Sequence, residues 1–155
     1  MTDERSEKAG GGDPAGSAGG AGGSAPRGKE VVVPGWPKPI GYANGWIADG
    51  RVLHVGGQIG WTPDGKFLAR DLVNQFAQAL DNVLAVVKAA GGEATSVASM
   101  TVYVTSMDDY RASRNPLGRI WRERFGSHYP AMALVAVAAL FEREAVVEIQ
   151  AVAHL

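Results

Sequence analysis

The stretch His128–Leu155 constrains the fold more than any other part of this chain. It holds two apolar runs, Ala131–Leu140 and Ala145–Ala153, joined by the polar connection Phe141-Glu142-Arg143-Glu144. In the second run side chains alternate: Val147, Ile149, Ala151 and Ala153 point one way, Val146, Glu148, Gln150, Val152 and His154 the other. A period of two marks a strand with one drier and one wetter face. The first run does not alternate, because Met132, Leu134 and Ala136 are as apolar as Ala133, Val135 and Val137. Such a strand calls for cover on both faces. Its alanines suit a helix as well, but valine favours the strand. The pair therefore reads as a β-hairpin, and the open question is what covers its second face.

At 155 residues the chain suits one domain with a single core. A formal net charge of -1 gives no overall pull towards nucleic acid or an anionic membrane. Cysteine is absent, which excludes disulfides, thiol nucleophiles and thiolate zinc sites and is compatible with a reducing cytoplasm. His54, His128 and His154 lack metal-motif spacing, so no metal site is expected. No run approaches the roughly 20 apolar residues of a membrane span, and no apolar signal-peptide core stands at the start. Residues 1–30 are Gly, Ala, Ser, Pro and charge with almost no bulky apolar side chain, the composition of a disordered tail. Residues 31–155 form the expected folded unit.

Within that unit, Pro34, Pro37 and Pro39 suit an extended lead-in. Asp49-Gly50, between residues 41–48 and 51–57, is a hairpin signal. Gly56-Gly57 either bends the second strand or presents backbone amides to an anion. Asp71 caps a helix through Ala90, with Leu72, Phe76, Ala79, Leu80, Val83, Leu84 and Val87 as its apolar stripe and Gly91-Gly92 as its stop. Residues 96–106 alternate as a half-buried strand. Asp108-Asp109 opens a second helical region buried through Leu117, Ile120, Trp121 and Phe125, with Asn115 as a candidate cap before Pro116. The order β-β-α-β-α-β-β gives an α+β fold with two helices on one face of a mixed sheet. Two helices cover one face only, so the apolar side of the Ala131–Leu140 strand predicts a homo-oligomer with packed sheets.

Six blocks, in order, carry a likeness to known proteins: PIGYANG, RVLHVGGQIG, QFAQALDNVLAVVKAAG, VASMTVYVTSMDDY, HYPAMALVAVAAL and VVEIQAVA. From about Pro39 to Ala153 the chain resembles the RidA/YjgF family of reactive-intermediate deaminases. The resemblance implies a chorismate-mutase-like (RidA-like) fold, a homotrimer with sheets facing inward, and ligand clefts between subunits. It also implies cofactor-free hydrolysis of enamines and imines such as 2-aminoacrylate. Tyr42 matches the tyrosine of the family's first motif, and Glu148 the glutamate that helps position the attacking water. Asn115 falls one residue from a ligand-contacting asparagine, Arg114 taking that place without a gap. Gly56 stands at the family's serine.

Met132 stands where the family has an arginine that grips the substrate carboxylate through two parallel charge-assisted hydrogen bonds. Methionine donates none. A hydrogen bond to a charged group is worth roughly 1.5–3 kcal/mol net, so its loss is at least about tenfold in affinity. The expected function is therefore hydrolytic deamination of an enamine or imine other than simple 2-aminoacrylate. The alternative is a trimer that binds a small metabolite without turning it over, Met132 and Gly56 lining its cleft or packing an interface and bending the chain. A small-molecule metabolite is the expected partner. Five arginines on the second helix (Arg111, Arg114, Arg119, Arg122, Arg124) read as a solvated face, and RNA is not expected because Trp121 points inward.

Overall fold

The computed structural model describes residues 28–30, 33–34, 36–37, 40 and 46–155. Its elements are β1 (Gly28–Glu30), β2 (Trp46–Ala48), β3 (Val52–Ile59), α1 (Leu72–Ala89), β4 (Val97–Val104), α2 (Met107–Ala112), α3 (Arg114–Phe125), β5 (Ala131–Ala136) and β6 (Val147–His154). The architecture is α+β: a four-stranded mixed sheet in the order β3-β6-β4-β5, with helices packed on one face. None of the described helices is long and apolar enough to cross a membrane.

The alternation read in β6 sets the core. Val147, Ile149, Ala151 and Ala153 are buried against α1, while Glu148, Gln150, Val152 and His154 project from the opposite face. α1 starts where expected, with Asp71 accepting a hydrogen bond from the Asn74 amide at 3.0 Å. Asn74 also holds the Asp71 carboxyl below its ordinary pKa. Phe76, Ala79, Leu80, Val83 and Val87 bury its stripe under the sheet.

Pairing of the strands departs from expectation. β5 and β6 are not a hairpin, because β4 lies between them, parallel to β5 and antiparallel to β6. The chain from β4 to β5 crosses through α2 and α3, as a parallel pair requires. Residues 137–146, which include FERE, then carry the chain past β4 to the far side. β5 also ends at Ala136, short of Leu140. Likewise β2 and β3 do not pair with each other: β2 pairs with β1, and β3 with β6. Gly50 still makes its turn, at φ 108°, but the backbone of Arg51 exchanges two hydrogen bonds with Leu155, which draws β3 to the C-terminal strand. β1 contains residues that composition assigned to the disordered tail.

The second helical region breaks at Ser113, which caps α3, so Asn115 lies inside the first turn and is not a cap. Pro116 fits because its missing N–H would have had no partner there. Trp121 points inward, stacked between Phe125 and Tyr129, and donates to the His128 carbonyl at 3.1 Å. His128 is buried, and its Nε2 donates to Val97 O at 2.7 Å. Arg124 clamps α3 to α1 through a two-pronged contact with Asp81 at 2.7 and 2.8 Å, which raises the guanidinium pKa further.

The uncovered face of the sheet carries Val52, His54, Ser99, Thr101, Tyr103, Ala133, Val135, Gln150, Val152 and His154, by register and burial. It is mixed rather than uniformly apolar, with Tyr103 donating to Gln150 across two strands at 3.1 Å.

One buried amide ties the layers together. Gln75, 1% exposed, donates to Ala69 O and Glu144 O and accepts from the Val146 N–H at 2.9 Å. Leaving buried backbone groups unpaired costs about 1–3 kcal/mol each. Gln75→Leu is therefore expected to lower stability by about 3 kcal/mol. Urea unfolding should show a lower midpoint at unchanged slope, and a midpoint equal to wild type would contradict the account.

Candidate functional site at the Glu148 cleft

The junction of β3 and β6 positions the best candidate. A bulge interrupts their register between Val55 and Gln58, so Gly56-Gly57 does bend the strand. Beyond the bulge, Ile59 pairs with Glu148. Gly57 lies directly under the Glu148 carboxylate: a Cβ there would overlap it, coming within 2.7 Å of Cδ. Glycine at this position is a matter of space, since it lets a carboxylate lie flat on the strand. Gly56, by contrast, faces open space with nothing within 4 Å of an added Cβ.

Around Glu148 is a cleft of about 230 Å³, lined by Gly57, Ile59, Trp61, Phe141, Glu142 and Glu148. Phe141 is 94% exposed and Trp61 38%. The loop bearing Trp61 is held by Asn82 of α1, whose amide donates to Ile59 O and Trp61 O at 3.0 and 2.8 Å. The other wall comes from the FERE connection between β5 and β6. Glu148 is half-buried, and among the described residues its carboxylate has no hydrogen-bond or ion-pair partner. A carboxylate so placed can accept a proton from water at the cleft mouth. Among the described residues no three His, Asp or Glu side chains gather as metal ligands would.

Met132 and Asn115 do not join Glu148 within one chain. Met132 is in register with core residue Met100 and packs on the helical side of the sheet, so packing is its role within the subunit. Asn115 is exposed on α3, in the same helical layer. Tyr42 lies outside the described residues. Four lining residues, Ile59, Trp61, Phe141 and Glu142, were missed by sequence reading. Phe141 was the available signal, a large apolar side chain in an otherwise charged four-residue connection.

Known proteins agree with this architecture. The family model described as Endoribonuclease L-PSP matches residues 37–155, leaving β1 outside it. A RutC family protein of Pyrococcus horikoshii is 34% identical over 128 residues, 81% of this chain and 98% of that protein. The human 2-iminobutanoate/2-iminopropanoate deaminase is 34% identical over 119 residues, 76% of this chain and 82% of its own length. Among solved structures, a Rid family protein of unknown function from Yersinia pestis superposes with a TM-score of 0.73 at 27% identity, covering 83% of this chain and 99% of that one. The chain belongs to the RidA/YjgF family, the family of the Endoribonuclease L-PSP model.

Proposed function

We propose that this protein is a cofactor-free hydrolytic deaminase acting on an enamine- or imine-type intermediate other than simple 2-aminoacrylate. The observation that carries the reading is the Glu148 carboxylate, without a partner among the described residues, laid over Gly57 and facing a cleft of small-metabolite size. The human relative, named as a deaminase of 2-iminobutanoate and 2-iminopropanoate, supports the reaction class. In the proposed reaction Glu148 orients a water against the C=N carbon and takes its proton. The carbinolamine then expels ammonia with that proton, and a carbonyl remains. Tyr42 helps hold the ligand, as the resemblance implies, and the Gly56-Gly57 bulge shapes the wall.

The same geometry supports assembly. Met132 and Asn115 stand on the helical side and Glu148 on the opposite side of one sheet. A site using residues from both sides would draw them from different copies, which supports an oligomer with clefts between subunits, and a homotrimer is what the family resemblance implies. The uncovered face, with Val52, Val135 and Val152, is the surface that neighbouring copies would cover. A cytoplasmic location is part of this proposal. The second reading, a metabolite-binding trimer without turnover, is favoured by Met132, whose side chain packs on the core and gives the Glu148 cleft of its own chain no cation.

Replacing Glu148 by Ala should lower kcat/KM on a panel of imines by at least about 100-fold. Equal rates in wild type and variant would leave the binding reading standing. Gly57→Ala should push the carboxylate aside and cost about tenfold in rate, with less than about 1 kcal/mol lost in stability because only a flexible side-chain end must move. Sedimentation at micromolar concentration should give a trimer, which Val135→Asp should dissociate; a stable wild-type monomer would refute the assembly.

A further inference from the structure

The charge of the cleft narrows what it accepts, and this inference rests on the imine-hydrolysing reading for its chemistry but not for its binding test. Among the described residues that line it, two are carboxylates, Glu142 and Glu148, two are aromatic, Trp61 and Phe141, and none is Lys, Arg or His. Four acidic residues elsewhere are paired, Asp64 with Lys66, Asp81 with Arg124, Asp108 with Arg111 and Glu144 with Arg70, whereas Asp49, Asp71 and Asp109 have no counter-ion among the described residues. Glu142 and Glu148 have no such counter-ion among the described residues, although Arg143 is the next residue to Glu142. Two uncompensated carboxylates beside two ring faces form a cation trap, since each repels an anion and each ring attracts a positive charge. A carboxylate-bearing imine would enter against two like charges, and Met132 supplies no donor to offset them. At about 230 Å³ the cleft is smaller than the roughly 300–1,000 Å³ of drug-sized sites.

We propose that the Glu148 cleft takes a small cationic imine without a carboxylate, its iminium between Glu142 and Glu148 and its short apolar chain against Trp61, Phe141 and Ile59. In the balanced reaction one protonated imine and one water give one carbonyl compound and one ammonium ion. Water's oxygen forms the new bond to carbon, and Glu148 accepts a water proton. It returns that proton to nitrogen as the C–N bond breaks with its electron pair on the leaving ammonia. The second water proton, released as the carbonyl forms, completes ammonium. No oxidant, reductant or cofactor enters. A positive charge already on nitrogen makes the carbon more electrophilic, and the two glutamates hold it in that state. The supplying reaction must be one that turns a simple primary amine into its imine.

The test is binding of isopentylammonium, 3-methylbutanoate and 3-methylbutanamide to the full chain, by calorimetry at low and moderate salt. Isopentylammonium should bind about tenfold more tightly than 3-methylbutanoate, and Glu142→Gln and Glu148→Gln should each remove several-fold of that preference. Equal binding of the cation and the anion, or tighter binding of the anion, overturns the inference. Chemical denaturation of both variants checks that they remain folded. A kinetic arm compares imines of 3-methylbutanal and of 4-methyl-2-oxopentanoate formed in ammonia buffer. Faster hydrolysis of the carboxylate-bearing imine overturns this inference and leaves the deaminase reading intact. Cation preference without hydrolysis of either imine supports the charge inference and overturns the deaminase reading.

Discussion

The structure depends on the register of β6. It sits between β3 and β4, hydrogen-bonded on both sides, with its dry face on α1. Because side chains alternate, a slip of one residue would drive Glu148 and Gln150 into the core and expose Val147 and Ile149. Burying even one unpaired carboxylate costs several kcal/mol, comparable to the whole stability of a small domain. The same burial that holds the fold therefore fixes on which face, and opposite which residue, the candidate catalytic carboxylate lies. Fold and site share one constraint.

A single bulge translates that constraint into chemistry. Without the extra residue at Gly56-Gly57, β3 would continue its alternation and present a side chain where Glu148 now rests. With it, the strand yields a bare patch of backbone under the carboxylate. Asn82 then secures the outgoing loop, so that Trp61 stands beside the cleft rather than swinging in solvent. Gln75 does the corresponding work on the other wall by fixing the backbone of Glu144 and Val146 just before β6. Both anchors belong to α1, so one helix positions both walls of the cleft from beneath the sheet.

How much of this is legible in the sequence depends on the range of the interaction. Alternation in β6 and β4, the stripe and cap of α1, and the Gly91-Gly92 stop are encoded within a few residues of each other, and the structure has them. Pairing is not local. Asp49-Gly50 and FERE both resemble hairpin connections, yet each leads its chain to a strand distant in sequence, because β3 and β4 both gain more by flanking β6. Ser113 displaced Asn115 as a cap because a helix already running from Met107 ends there. At the site, Glu148 was legible through alternation and resemblance together. Trp61 and Glu142 were not, since they are about 80 residues apart in sequence and meet only once the β3–β6 pairing exists.

The division of Glu148 and Met132 between two faces of the sheet bears on what position 132 does. At position 132 a side chain points to the helical layer of its own subunit, where a methionine packs on Met100 and the core without an unpaired donor. The methionine at this position adds apolar contact to the core of its own chain and offers no strong hydrogen-bond donor. The cleft is left with two carboxylates and two rings to define its ligand. A binding site is specified as much by the charge it leaves unanswered as by the contacts it makes, and here the unanswered charge is negative.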